Sequence, residues 1–525
     1  MHHLVPGLAL GLVLSGAAGA TTYVVRPDGS GDFPTIDAAI LAVPEGSVIE
    51  LTDGVFLGEG NRDLLYRGKA IVIRSQNGDP SHCIIDVADV SPHSGFIFQN
   101  GEDTLSVLEG VTIRNARNIL GAGITCWNGG SPRIVRCILS NNVSTDEDYG
   151  GGGIYCTSAP VIEDCRFIGN TAVRGGAMMV RSGAAPVLRG VTFIGNLATA
   201  HGGALYLYEC VIRAEDCVFQ ENSAAGTGGA ILSGHVGSYT FTRCAFAANT
   251  AADGGAVSSS FDGAYAFAHC TFVGNSAAQR GGVVASRRIY DYVFTNCTFS
   301  ANAAQQGAVL WDQYDSYVKF EQCILAFATR GGAVFCDGVT ILPRFTCSDI
   351  YGNVDGDWVD CLEGQSHVRG NISLDPLFCA PPVEDLHLME DSPCAPYAPP
   401  HPECPLVGAW PVGCGLPASL GNDLVAGAAP TRLWVGRSFP TPSAASVAID
   451  FGVPASVKGV PLELTIHAAT GRLVRTLLSG VRSPGVHRAL WDGTDRHGRP
   501  VEAGVYFCRL NAGGETAQTR LVWVR

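Results

Sequence analysis

Basic residues are few in this chain. The 525 residues include 34 Lys and Arg against 48 Asp and Glu, a net charge of −14. The deficit lies ahead of residue 441, where 24 basic residues face 42 acidic ones, whereas residues 441–525 carry 10 and 6. An acidic body of this kind excludes nucleic acid as a partner, because phosphate binding needs clustered Lys and Arg. Charged residues of both signs make up only 16 % and aromatics 8 %, and no amphipathic segment of crossover-helix length separates the apolar stretches. A helical protein is therefore not expected. Long apolar runs are also missing. Residues 4–14 form one, followed by Ala18-Gly19-Ala20, which predicts a signal peptide over residues 1–20 and a mature chain from about Thr21. No later run approaches the length that crosses a bilayer, so no transmembrane segment is expected after its removal.

What the chain has in quantity is glycine, 66 residues, and a repeat. Cys137, Cys165, Val191, Cys217, Cys244, Cys270, Cys297 and Cys323 follow one another at gaps of 28, 26, 26, 27, 26, 27 and 26. Two positions on stand Phe167, Phe193, Phe219, Phe246, Phe272 and Phe299. Three further on stand Asn142, Asn170, Asn196, Asn222, Asn249, Asn275 and Asn302. A glycine pair closes most repeats, as in Gly202-Gly203 and Gly228-Gly229. One repeat reads strand, Asn turn, glycine bend, strand. Strands this short, with no crossover helix, must pair with their copies in the next repeat, so the chain coils into a parallel β-helix.

The coil explains its residues. Equivalent positions stack about 4.8 Å apart, giving ladders of Cys165, Cys217, Cys244, Cys270 and Cys297 and of the asparagines. Buried Cys and Phe fill a narrow interior, and Asn amides bond from coil to coil where the backbone bends. Glycine permits the left-handed corner. Three positions before the Cys column, Ile134, Ile162, Leu188, Ala214, Phe241, Phe267, Phe294 and Phe320 face inward. Tyr239, Tyr265 and Tyr292, two earlier, share their parity. The parity changes between these residues and the Cys column, which predicts a bend there.

The Phe-x-x-Asn and Gly-Gly-Ala elements, as in Phe167 to Asn170 and Gly175-Gly176-Ala177-Met178, resemble the repeats of polymorphic outer-membrane adhesins over about residues 110–335. The segment Tyr23-Val24-Val25-Arg26-Pro27-Asp28-Gly29, with Thr35-Ile36 and Ala38-Ala39-Ile40, resembles the first strand and capping helix of the pectin-lyase-like superfamily. That resemblance implies a short amphipathic helix over Thr35–Val43 closing the N-terminal end. It stops at the cap, since Gly95-Phe96-Ile97-Phe98-Gln99 lacks the acid of the pectin methylesterase segment. Beyond Cys336 the repeat loosens. Cys336, Cys347, Cys361, Cys379, Cys394, Cys404 and Cys414 show no metal-ligand spacing, so disulfides are expected among them in an exported chain. The solenoid cysteines, each with two equal neighbours, are expected to be free thiols.

Residues 416–438 read as a linker, and residues 439–525 as a small β-sandwich of alternating strands. Gly471-Arg472-Leu473-Val474-Arg475-Thr476-Leu477, Trp491-Asp492-Gly493 and Gly504-Val505-Tyr506-Phe507 resemble the Ig-like tail of flagellar hook-capping type carried by proteins sorted through type IX secretion. The resemblance implies the outer-membrane export machinery as a partner and a secreted or surface location. The architecture is thus a right-handed parallel β-helix over residues 21–415, an all-β solenoid, followed by an Ig-like domain.

No catalytic set is assembled in the sequence. There is no Asp-Asp pair, and Asp146-Glu147-Asp148 and Asp355, Asp357 and Asp360 read as solvated loops rather than metal ligands. One surface candidate remains. Arg287, Arg288, Tyr290 and Asp291 fall at matching places to Trp311, Asp312, Tyr314 and Asp315 in the next coil, where aromatic and charged groups on a loop could hold a sugar chain. The reading is an adhesin or carbohydrate-binding protein without catalysis, cofactor or metal, taking polysaccharide or surface glycan as partner. The rival readings are a polysaccharide lyase or glycoside hydrolase with a dispersed site, and a structural stalk.

Overall fold

One repeat makes one coil. From Val187 to Tyr208 the chain passes through four short strands, Val187–Arg189, Thr192–Ile194, Leu197–His201 and Leu205–Tyr208. Each pairs in parallel with its equivalents in the coils before and after. Among the described residues the four stacks, here sheets 1 to 4 in that order, hold 13, 12, 7 and 11 strands. This computed structural model describes residues 20–88, 92–148, 150–260, 263–287, 290–313, 315–379, 385–413, 434–439, 447–454, 460–468, 472–482, 485–497, 499–502 and 504–523. The expected signal peptide lies outside them except for Ala20. Sheet 3, between the Asn turn and the glycine bend, goes beyond the two-strand repeat expected from the sequence. Its inward residues, among them Ala172, Ala198 and Ala277, are too small to show an alternation of large side chains.

Three left-handed residues turn each coil from Arg166 to Cys336, and glycine is needed at only one of them. The bend ahead of the Cys column falls on Arg136, Asp164, Asp216, Arg243, His269 and Asn296, with φ between 48° and 55°. A second bend falls on Asn141, Glu221, Ala248 and Ala301, just before the Asn column. The third is the glycine pair. A Cβ on Gly202 would stand 2.3 Å from the Leu205 carbonyl oxygen, and one on Gly203, which has no positive φ, 2.0 Å from the Gly229 oxygen. The first glycine meets conformation and space together; the second is required by the closeness of the next coil alone.

The Asn and Cys ladders carry the hydrogen bonds that the corners forfeit. Asn196 donates from its backbone N and from Nδ2 to Asn222 Oδ1, at 3.1 and 2.9 Å, while Nδ2 also reaches the Phe167 oxygen of the previous coil at 3.0 Å. Each Cys donates its thiol to the carbonyl two residues earlier, as Cys244 does to Thr242 at 3.4 Å, and Cys165 and Cys270 also accept from the backbone N of the Cys one coil before, at 3.3 and 3.4 Å. Burial pushes the thiols of Cys165, Cys217, Cys244, Cys270 and Cys297 well up, so they are unreactive near neutrality. Ser348 occupies the last ladder position with the same bonds, to Thr346 at 3.0 Å and from Cys323 N at 3.2 Å. Cys244→Ser is therefore expected to fold with a loss under about 2 kcal/mol, read by urea denaturation.

The N-terminal end of the solenoid is closed, and its last coils are covered from the side. Helix Ile36–Ala42 starts on Thr35, whose Oγ1 accepts from Ala38 N at 3.2 Å, and buries Ile36, Ala39 and Ile40 on the first coils. Lys69 Nζ reaches the Ile40, Leu41 and Val43 oxygens at its other end. At the C-terminal end, residues 372–379 and 385–413 turn back over the outer face of sheet 2. Ile372, Leu388, Cys394 and Val407 pack on Val273, Ile324 and Ala326, and Ala409 N donates to Thr298 Oγ1 at 2.9 Å. Disulfide Cys347–Cys404 ties this segment to the solenoid, Cys336–Cys361 links the last coils just before it, and Cys379 is disulfide-bonded too. Cys394 departs from the expected bridged set: it is a buried free thiol bonded to Asp349. Cys414 lies outside the described residues.

A second compact unit follows the solenoid, and among the described residues it holds antiparallel sheets of three and four strands around Trp491, Phe451, Leu464, Cys508 and Leu521. Its first strand, Trp434–Phe439, falls inside the segment expected as linker and pairs with Val447–Val453. The alternation of that strand is too short to separate from a linker by pattern alone.

Candidate functional site

The outer faces of the solenoid differ in what they leave available. On sheet 1 the charges pair across coils, Glu50 with Arg74, Glu163 with Arg133 and Arg189, Glu215 with Arg243. Sheet 2 is covered in its last coils by the returning segment. Sheet 4 is different. In Leu205–Tyr208 the leucines are buried in the core, so Tyr206 and Tyr208 point outward by strand parity. The outward column through Tyr206 runs Met179, Tyr206, Leu232, Ser258, Ala285, Trp311. Beside it, across the glycine bend, the last residues of sheet 3 form a second column of Arg174, His201, Thr227, Asp253, Arg280 and Gln306.

Side chains of the two columns meet. The Arg174 guanidinium lies 5.7 Å from the Tyr206 ring centroid and pairs with Asp148 at 2.8 Å. Arg181 lies 5.5 Å from the Tyr208 ring. Asp148, Arg174, Met179, Arg181, Tyr206 and Tyr208 together line a pocket of about 250 Å³. His235 stacks on Tyr208 at 4.9 Å and reaches Glu209 at 3.2 Å. Four coils along, about 19 Å at 4.8 Å per coil, Arg280 covers the Trp311 ring at 4.8 Å. Between the two lies Asp253, whose carboxylate pairs with Arg287 and stands 3.8 Å from Arg280. His201 accepts or donates at Thr227 Oγ1, 3.1 Å away. Burial, then Arg174 and Arg287, hold His201 below its ordinary value, so its ring is neutral near pH 7. Buried atoms without a hydrogen-bond partner gather here: Arg174 Nε, Asp253 Oδ1, Arg287 Nε and Trp311 Nε1. Such atoms are rare in folded proteins unless water or a ligand completes them. Among the described residues no group of three His, Cys, Asp or Glu side chains is placed to hold a metal ion.

The residues singled out in the sequence are only partly brought together. Arg287 and Trp311 belong to the sheet 4 face, but Trp311 is a buried strand residue under Arg280 rather than a displayed loop platform. Asp312 is buried on the opposite parity and accepts from Ser316 Oγ at 2.8 Å. Asp291 is on sheet 1, paired with Tyr317. Asp315 caps the next loop, accepting from the backbone of Thr340 and Ile341, and those bonds lower its pKa. Tyr290 begins strand Tyr290–Thr295; Arg288 and Tyr314 lie outside the described residues. The reading of this region as a loop failed because Leu310–Asp312 pairs in register with Val284–Ser286. Arg174, Arg181, Tyr206, Tyr208, Asp253 and Arg280 were missed. The alternation Leu205-Tyr206-Leu207-Tyr208 after a glycine pair is the signal that marks the face.

Residues 60–246 match the family model for a right handed beta helix region, and residues 437–515 match that for the FlgD Ig-like domain. No curated protein matches the chain. Among solved structures, one described as a mannuronic acid specific polysaccharide family 6 lyase enzyme from human gut microbiota is similar at 13 % identity and a TM-score of 0.38. The match covers 68 % of this chain and 91 % of that one.

Proposed function

We propose that this right-handed parallel β-helix with a FlgD-type Ig-like domain is an exported, surface-displayed adhesin that binds a glycan along the outer face of sheet 4 without cleaving it. The observation that carries the reading is the pocket of Tyr206 and Tyr208, with Arg174 and Arg181 at their rings and Asp148 beside them. Aromatic walls with a few fixed polar groups suit a sugar, whose ring faces are apolar and whose rim is hydroxyl. Glycoside hydrolysis needs two carboxyl groups about 5 to 9.5 Å apart. Of the carboxylates on this face, Asp148 and Asp253 are four coils apart, about 19 Å at 4.8 Å per coil, and Glu209 is held by His235 at 3.2 Å. The Ig-like domain supports export and surface attachment.

The test is calorimetry of the purified chain from Thr21 onward against a panel of neutral and acidic oligosaccharides, with product analysis on every binder. Binding without product is expected, and Tyr206→Ala should weaken it about tenfold or more. An unsaturated or reducing-end product would replace this reading with a lyase or hydrolase of dispersed site. Unchanged binding by Tyr206→Ala would remove the pocket from it.

A further inference from the structure

We propose that the far end of the sheet 4 face seats an anionic group of the glycan, a carboxylate or a sulfate ester, between the guanidinium groups of Arg280 and Arg287. The assignment rests on the glycan-binding reading of this face and names the chemical class of the glycan. Asp253, with its side chain 5 % exposed, pairs with Arg287 and lies 3.8 Å from Arg280. One carboxylate thus serves two cations, and a positive charge is left over in a chain whose net charge is −14. Both arginine side chains keep about a third of their surface, 34 % and 39 %, so a ligand can reach them.

The unfilled atoms give the chemistry of what fits. Arg287 Nε and Trp311 Nε1 are buried donors and Asp253 Oδ1 a buried acceptor, none with a hydrogen-bond partner among the described residues. Two part-exposed guanidinium groups that share one carboxylate call for anionic oxygen; the acceptor beside them calls for a hydroxyl. An acidic saccharide brings both. A closed structural ion triad would instead complete its hydrogen bonds, because a buried charge left half-satisfied is costly. Trp311 supports Arg280 from below, at 4.8 Å from ring to guanidinium, and Asp253 fixes the spacing of the two arginines, which suits bidentate contact with a planar or tetrahedral anion.

The experiment is calorimetry of the full chain with three hexasaccharides: a galacturonate oligomer, a chondroitin sulfate oligomer and neutral xylohexaose, each at low and high salt. At least one acidic probe is expected to bind about tenfold more tightly than the neutral one, with affinity falling as salt rises. Arg287→Gln should bring that probe to about the level of xylohexaose, and Arg280→Lys, which keeps the charge but loses the fork, should fall between. Circular dichroism verifies that each variant folds. Equal affinity for all three probes, or an Arg287→Gln protein that binds like the parent, overturns the anionic subsite while glycan binding stands. Binding of none of the probes or panel sugars overturns both.

Discussion

Asn222→Asp is expected to destabilise the solenoid by on the order of 4 kcal/mol, a change of one atom at a fully buried position. The side chain and backbone N of Asn222 take part in five hydrogen bonds. Its Oδ1 accepts from Asn196 N and Nδ2 at 3.1 and 2.9 Å, its own N donates to Asn249 Oδ1 at 3.0 Å, and its Nδ2 donates to Phe193 O and Asn249 Oδ1, both at 3.0 Å. A carboxylate keeps the first two. Where Nδ2 stood, its second oxygen would face two other oxygens at hydrogen-bond distance, in a site closed to water. Protonation recovers one of those contacts, so the variant should be less unstable in acid than at neutral pH. Urea denaturation followed by circular dichroism at both pH values checks this. An unfolding midpoint equal to that of the parent would show that the Asn ladder is packing and not a bonded chain. Asn is the residue for this place because it alone combines a donor amide and an acceptor oxygen on a side chain short enough for the turn.

Asp349→Asn should act in the other direction and depend on pH. Asp349, in strand Asp349–Tyr351, is fully buried beneath the returning C-terminal segment. It accepts from Leu374 N at 3.1 Å and from the Cys394 thiol at 3.4 Å. Burial above all, with the carboxylates of Asp357 and Asp375 also contributing, raises its pKa from 3.8 to about 8. The folded state therefore holds a proton that the unfolded chain releases near pH 4. The stability associated with that proton is complete below the unfolded value, declines as pH rises, and is lost once pH passes about 8. At about 1.4 kcal/mol for each tenfold change in proton affinity, the full effect is on the order of 5 kcal/mol. The Asn variant has no proton to lose, so its stability should stay level across this range and exceed that of the parent at pH 9. Hydrogen exchange of residues 385–413 against pH reads the effect where it arises. The same slope in parent and variant would assign the pH dependence to another group.

Stacking made the solenoid legible. Every coil rests on the next, so an inward position must be filled in the same way each time, and the Cys, Phe and Asn columns declare the period, the core and one set of turns. The bend ahead of the Cys column was readable as a parity change, and the left-handed residues at Arg136, Asp164 and Arg243 stand there. The N-terminal helix was readable from its residues and the resemblance they carry, and the Ig-like domain likewise. Sheet 3 was not, because its inward alanines leave no contrast. The free state of Cys394 was not, because cysteine spacing says nothing of which thiol is turned toward a buried carboxyl.

The proposed binding face was the least legible part, and the reason is physical. Outward positions carry no stacking constraint, so they do not repeat and no column announces them. Arg174 and Tyr206 come from different strands of successive coils, and Asp253 meets Arg287 across a coil boundary. Sequence alone determined the coil, its period, its core and its closing helix, because these follow from one repeated local rule. The choice of face, the burial of Trp311 beneath Arg280 and the sharing of Asp253 by two arginines were decided by tertiary structure. They depend on which strand ends the glycine bend brings side by side, and on a register that places Ala285 against Trp311.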